Sequence, residues 1–188
     1  VPVFPSGSNP AKADITLPGT AILSGFHRIN SVWSIMGSVF YTQWSTVKNI
    51  SLNGVYNPVS PTMPLVVTIP QNFRNTWNFA VGVHYHPSAK WIFKAGAGYD
   101  QSPIPNSTRN VRLPDNNRFV LAVGAHYQAT KALGFDAGWE HIFIGKGNIN
   151  VTQVLSPLIT VNTTGFSTGM GDVFGFQATY AFDRASIL

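Results

Sequence analysis

Phe174-Gly175-Phe176-Gln177-Ala178-Thr179-Tyr180-Ala181-Phe182 decides the fold. Its even positions are aromatic or alanine, and its odd positions are small or polar. Successive side chains of a strand point to opposite faces, so a period of two reads as a strand with one apolar face. The pattern recurs upstream. Trp77, Phe79, Val81, Val83 and Tyr85 alternate with Asn78, Ala80, Gly82, His84 and His86. Trp91 to Tyr99, Phe119 to Tyr127 and Leu133 to Trp139 repeat it, Trp33 to about Tyr41 is less regular, and a first strand is expected over Ile15 to Arg28 with Pro18 and Gly19 interrupting it. Seven strands and no amphipathic helix emerge from the sequence.

Aromatic residues recur eight apart on the apolar faces: Trp33/Tyr41, Trp77/Tyr85, Trp91/Tyr99, Phe119/Tyr127, Phe135/Phe143 and Phe174/Phe182. Eight residues of tilted strand cover ~20 Å along a barrel axis. Two aromatic girdles around an apolar band are the signature of an outer-membrane barrel. A soluble sandwich has no reason to place aromatics at both ends of six strands, nor to carry only 10% charged residues. The fold class expected is therefore all-β: a transmembrane antiparallel up-and-down barrel wall. With no cysteine among 188 residues, disulfides, thiol catalysis and a cysteine zinc site are excluded. No run approaches 18 apolar residues, so no spanning helix is expected. No signal peptide is visible at Val1.

Connections alternate in length. Short ones fall at Asn30–Ser31, His86–Lys90 and Gln128–Lys131, and long ones at Ser45–Asn72, Gln101–Asn117 and Gly145–Ser167. Bacterial barrels have short periplasmic turns and long outer loops. The final strand is thus expected to end on the periplasmic side of a multi-pass outer-membrane protein. Seven is odd and smaller than the eight of the smallest closed barrel, so residues 1–188 are expected to be the C-terminal part of one larger barrel domain. The sequons in the long segments read as polar loop composition.

Three stretches carry a resemblance. Ala13-Asp14-Ile15-Thr16-Leu17-Pro18, Ala97-Gly98-Tyr99-Asp100-Gln101-Ser102-Pro103-Ile104-Pro105 and Val111-Arg112-Leu113-Pro114-Asp115-Asn116-Asn117-Arg118-Phe119 resemble the FadL/OMPP1/TodX family of outer-membrane transporters for long-chain fatty acids and hydrophobic compounds. The closing Thr179-Tyr180-Ala181-Phe182 is similar as well. The resemblance spans Ala13 to Phe182 and implies a fourteen-stranded barrel, with the hatch and the N-terminal strands upstream. It departs from the family in the tail Asp183–Leu188 and in lacking a Lys in Leu65–Gln71, where some relatives place a cation near substrate.

No GxSxG, P-loop or HExxH motif is present. The inner face is expected to carry His84, His86, Lys94, Asp100, His126, Asp136, Glu140 and Gln177. His84 and His86 stand ~6.6 Å apart along one strand, too loose for one ion, so neither a metal nor another cofactor is expected. The long segments carry Lys48, Arg74, Arg109, Arg112, Arg118 and Lys146. These can capture a fatty acid carboxylate or contact lipopolysaccharide phosphates. Equally, Arg112 or Arg118 can pair with Asp100 or Asp115 and order the loop. The ligand-contact candidates are Arg74, Asp100, Arg109, Arg112 and Arg118, with Ile69 and Phe73. Val55, Tyr56, Leu65, Val66, Val67, Ile69 and Leu155 to Ile159 offer apolar surface for a hydrophobic substrate. Scattered positives and outward aromatics do not suit nucleic acid. The function expected is passive uptake of hydrophobic molecules without catalysis, long-chain fatty acids first. A diffusion porin, a structural or adhesion barrel and a lipid-modifying enzyme are the competing readings.

Overall fold

Ten strands follow one another along the chain in the computed structural model, which describes residues 10–57, 60, 62–156 and 159–182. They are β1 (Lys12–Asp14), β2 (Thr20–Arg28), β3 (Trp33–Thr42), β4 (Asn49–Val55), β5 (Leu65–Pro70), β6 (Thr76–Tyr85), β7 (Trp91–Asp100), β8 (Arg118–Gln128), β9 (Leu133–Ser156) and β10 (Ile159–Tyr180). Seven of them form one antiparallel sheet in the order β2-β3-β6-β7-β8-β9-β10, a section of barrel wall. β2 and β10 are its two edges and are not paired with each other.

The alternating side chains divide as expected. Phe79, Val81, Phe93, Leu121, Val123 and Phe176 are between 42% and 83% exposed, so the apolar face packs against no dry core of the chain. Among the described residues only Val47, Ile104 and Ile149 are buried apolar side chains. The girdles form across strands. At the end with short turns, Trp33 meets Tyr85 and Trp91 meets Tyr127, each with ring centroids 4.6 Å apart. At the other end Tyr41 lies 4.8 Å from Trp77, and Phe119 lies 6.2 Å from Phe143. Two girdle tyrosines are tied to the loops by the same device: Asn75 Nδ2 donates to Tyr41 Oη at 2.9 Å, and Asn117 Nδ2 to Tyr99 Oη at 2.7 Å.

Three expectations need correction. The first strand of the wall begins at Thr20, not Ile15, because Pro18 has no N–H for a ladder; Lys12–Asp14 pairs elsewhere. Ser45–Asn72 is not a plain loop: β4 and β5 form a hairpin, and with β1 a second, three-stranded sheet. A register shift between Asn53 and Val55 marks a bulge, and Gly54 there takes φ +82°. A Cβ at Gly54 would stand 2.6 Å from Pro10 O, so only glycine fits. Finally, Gly145–Ser167 is largely continued strand. β9 and β10 run 24 and 22 residues, far longer than the 9–11 a membrane crossing needs. Pairing with one another satisfies their backbone groups beyond the girdle. Residues 1–9 and 183–188, the ends of the expected domain, lie outside the described residues, as do the side chains of residues 153–158.

Candidate functional site

The Gln101–Asn117 segment is an ordered knot built on one guanidinium. Arg109 is 2% exposed. Its Nε donates to Asp115 O at 2.8 Å, one terminal nitrogen donates to Asn106 Oδ1 and Asn148 O, and the other donates to Ile104 O and Asn116 Oδ1. All five N–H donors of the side chain are thereby used, so Arg109 holds the loop and has none left for a ligand. Burial, with the nearby Arg74 charge, pulls its pKa below the ordinary guanidinium value, and Asp115 opposes that shift.

Arg118 orders the same loop from the strand side. It contacts Asp115 at 2.7 Å and Asp100 at 3.5 Å. Asp115 also accepts from Ser102 Oγ at 2.7 Å. Arg74 donates through Nε to Ser102 O at 3.2 Å, and Phe73 packs edge-on against Trp44 at 6.0 Å. Thus Arg74, Asp100, Arg109 and Arg118 belong to one scaffold, while Phe73 lies apart from it. Loop and strand extension are stapled together by Asn116 Nδ2 to Lys146 O at 2.7 Å and Ser167 Oγ to Pro114 O at 2.7 Å.

Arg112 is different. No carboxylate lies within 4.0 Å of it among the described residues. It lines a cavity of about 290 Å³ together with Ile50, Ile69, Gln71, Asn110, Val111, Leu113, Val151 and Thr163. Five of these residues are aliphatic. The structure therefore joins two of the sequence candidates, Ile69 and Arg112, across a distance of 43 positions in the chain. The sequence does not bring Ile50, Val151 and Thr163 together, because Ile50 lies on β4 of the small sheet while Val151 and Thr163 pair with each other on the extension of β9 and β10.

A second cavity of about 560 Å³ is lined by the inward Lys94, Asp136, Glu140 and Gln177 with Gly82, Gly96, Gly124, Gly138 and Gly175, and is bordered by Ala95, Val123, Trp139 and Phe176 of the alternate set. Its floor is flat because a Cβ at Gly124 would come 3.0 Å from Ala137 O, and one at Gly96 would come 3.1 Å from Val81 O. Lys94 Nζ and His126 Nδ1 each lie 2.9 Å from Asp136. His126 Nε2 is 3.1 Å from Gln128 Oε1, and the Gln128 amide nitrogen is held by Thr130 O and Leu133 O. Both ring nitrogens of His126 are thus held, one by Asp136 and the other by Gln128. His84 and His86 lie beside each other with ring centroids at 6.1 Å. No cluster of metal-ligating residues occurs among the described residues. Gln177 donates to Thr179 Oγ1 at 3.2 Å.

A sequence profile described as "Outer membrane protein transport protein (OMPP1/FadL/TodX)" matches residues 2–182. The "Long-chain fatty acid transport protein" of Escherichia coli (strain K12) is 27% identical over 128 residues, which cover 68% of this chain and 27% of that protein. "Outer membrane protein P1" of Haemophilus influenzae is 27% identical over 172 residues, covering 89% of this chain and 36% of that protein. A solved structure, a Pseudomonas aeruginosa FadL homologue, superposes with a TM-score of 0.79 at 31% identity over 90% of this chain and 37% of its own. The chain thus spans well under half the length of each relative.

Proposed function

The chain belongs to the outer membrane protein transport family (OMPP1/FadL/TodX), and we propose that it forms part of a passive outer-membrane channel for hydrophobic molecules, with long-chain fatty acids as the substrate. The named Escherichia coli relative supports that substrate class. The loop end with β4, β5 and the Gln101–Asn117 knot faces outside, and the short turns face the periplasm. Edges β2 and β10 need strands beside them, because unpaired N–H and C=O groups have no partner in lipid. Seven further strands of the same protein would complete a barrel of fourteen, of which this is the C-terminal half.

The observation that carries the reading is the cavity around Arg112. Each buried CH₂ of an acyl chain gains ~0.8 kcal/mol, so apolar walls supply affinity without specificity. The Arg112 guanidinium, with no carboxylate near it among the described residues, then orients a substrate carboxylate beside Ile69 and Ile50. Exposed Leu65, Val66 and Ile159 provide apolar surface for first contact, while the side chains of 155–158 lie outside the described residues. On this reading Lys48 and Lys146 offer positive charge to lipopolysaccharide phosphates. From the mouth, substrate passes to the glycine-floored inner cavity, with no covalent step.

The test is fluorescent fatty acid binding to the detergent-solubilised protein. Arg112→Gln should weaken carboxylate binding about tenfold, ~1.4 kcal/mol, and leave an uncharged alkyl alcohol unchanged. Uptake of small sugars with no fatty acid binding would favour a diffusion porin instead.

A further inference from the structure

Gln71 is the most buried residue of the Arg112 cavity, 8% exposed, while Val111, Arg112 and Leu113 stand exposed at its rim. Its backbone is fixed from two sides. Gln71 N donates to Lys48 O at 2.7 Å, beside the start of β4, and Gln71 O accepts from Thr108 Oγ1 at 2.8 Å in the Gln101–Asn117 knot. The residue cannot swing away from the cavity without breaking both ties. Its side chain has no such tie: the amide has no hydrogen-bond partner among the described residues. Among those residues the only side-chain polar atom both sealed from solvent and unpartnered is Ser34 Oγ. The Gln71 amide therefore meets open space, and the open space it lines is the cavity.

The other amide on the lining is already spent. Asn110 Oδ1 accepts from Arg112 N at 2.9 Å and from Leu113 N at 3.2 Å, and Asn110 Nδ2 donates to Thr108 O at 3.4 Å. It holds the turn that presents Arg112. Gln71 keeps two donors and one acceptor for whatever enters. An alkyl chain filling the cavity would take that amide out of water and return no hydrogen bond, which costs affinity. The aliphatic walls thus favour a lipid, and Gln71 disfavours a plain one. A hydroxyl resolves the conflict, because it accepts from the amide nitrogen or donates to the amide oxygen.

The volume says where that hydroxyl sits. At about 290 Å³ the cavity is at the small end of ligand pockets, so it holds one end of a long molecule and leaves the rest of the chain outside. Both polar contacts then fall on the same end of the ligand. We infer that this cavity selects fatty acids hydroxylated close to the carboxylate, with Gln71 as the specificity-determining residue. The inference rests on the channel reading above, in which Arg112 takes the carboxylate.

The test is displacement of a fluorescent fatty acid from the detergent-solubilised protein, expressed from its complete gene, by tetradecanoate, 3-hydroxytetradecanoate or 14-hydroxytetradecanoate. The wild type should bind the 3-hydroxy acid about fivefold tighter than tetradecanoate, the yield of one ordinary hydrogen bond, and the 14-hydroxy acid no tighter. Gln71→Met keeps the length of the side chain and both backbone ties but removes the amide. It should bind tetradecanoate and the 3-hydroxy acid alike, with tetradecanoate the one that gains, an improvement that a structural defect does not produce. Heat-shifted gel mobility reports its folding, and the wild-type comparison stands without it. Equal binding of tetradecanoate and the 3-hydroxy acid by the wild type, an equal gain for the 14-hydroxy acid, or a preference surviving in Gln71→Met would each overturn the inference while leaving the channel reading intact. Absence of any fatty acid binding, or tetradecanoate binding that Arg112→Gln leaves unchanged, would overturn the channel reading and this inference with it.

Discussion

Gly147 lies against the buried side chain of Arg109: a Cβ placed on Gly147 would stand 3.1 Å from both Cδ and Nε of that arginine. The loop's central guanidinium and the extended β9–β10 hairpin therefore require one another. Gly147→Leu should cost roughly 1–3 kcal/mol through overpacking. Arg109→Ala should cost on the order of 3 kcal/mol by orphaning buried carbonyls, and Arg109→Lys should recover little of that, since an ammonium cannot reproduce the planar fork. Limited proteolysis within Gln101–Asn117, together with urea unfolding, measures both. Wild-type protease resistance in Arg109→Ala would remove the loop role assigned to it.

Two carboxylates bind Arg118 unequally. Asp115 is 18% exposed and 2.7 Å away, and it also accepts from Ser102; Asp100 is 38% exposed and 3.5 Å away. Solvent screening discounts the more open pair. Asp115→Ala should lower stability by about 1–2 kcal/mol, and Asp100→Ala by less than about 1 kcal/mol. The reverse order in urea midpoints would contradict this ranking.

Lumen obstruction can be separated from misfolding at Gly175. That residue lines the inner cavity, and a Cβ there meets nothing within 4 Å. Gly175→Phe projects a ring into this cavity from a position where β9 leaves room, so folding yield should stay near that of the wild type while fatty acid uptake by cells falls severalfold. Unchanged uptake would show that substrate does not pass along this part of the wall.

Neighbouring positions on one strand should respond oppositely to polarity. Val81 is 65% exposed on the outward face, and Gly82 lines the inner cavity. Val81→Arg should cost ~2–4 kcal/mol if that position lies near the bilayer midplane. Gly82→Ser adds a Cβ whose closest neighbour is Met36 Cγ at 3.2 Å, on a flexible side chain that can shift, and a hydroxyl beyond it. Folding yield in vesicles, read by gel mobility without heating, separates the two.

The wall was legible because its signal is local: period two and aromatic pairs need only a nine-residue window. β4 is hard to read in the sequence because Asn49–Val55 offers only two apolar steps, Ile50 and Leu52, before the bulge at Gly54 breaks the alternation. The hairpin extension is rich in Asn, Thr and Gly, which read as loop, although Ile149 and Val151 continue the alternation. Of the candidate arginines, the sequence could not say which would be consumed in the scaffold. Arg109 is consumed mostly by its own loop, through Ile104, Asn106, Asp115 and Asn116, with Asn148 alone reaching it from β9, whereas Arg112 meets Ile50, Ile69, Val151 and Thr163 from far along the chain.

The chain has no cysteine, so single cysteines can be placed at each position from Phe119 to Tyr127 without background. Spin labels at these sites, in vesicles, report contact with oxygen dissolved in lipid or with a water-soluble nickel chelate. The account predicts strict alternation: Phe119, Leu121, Val123, Ala125 and Tyr127 accessible to oxygen, and Val120, Ala122, Gly124 and His126 accessible to the chelate. A flat profile, or one with the two sets exchanged, would contradict the assignment of this sheet as a membrane barrel wall with an inner passage.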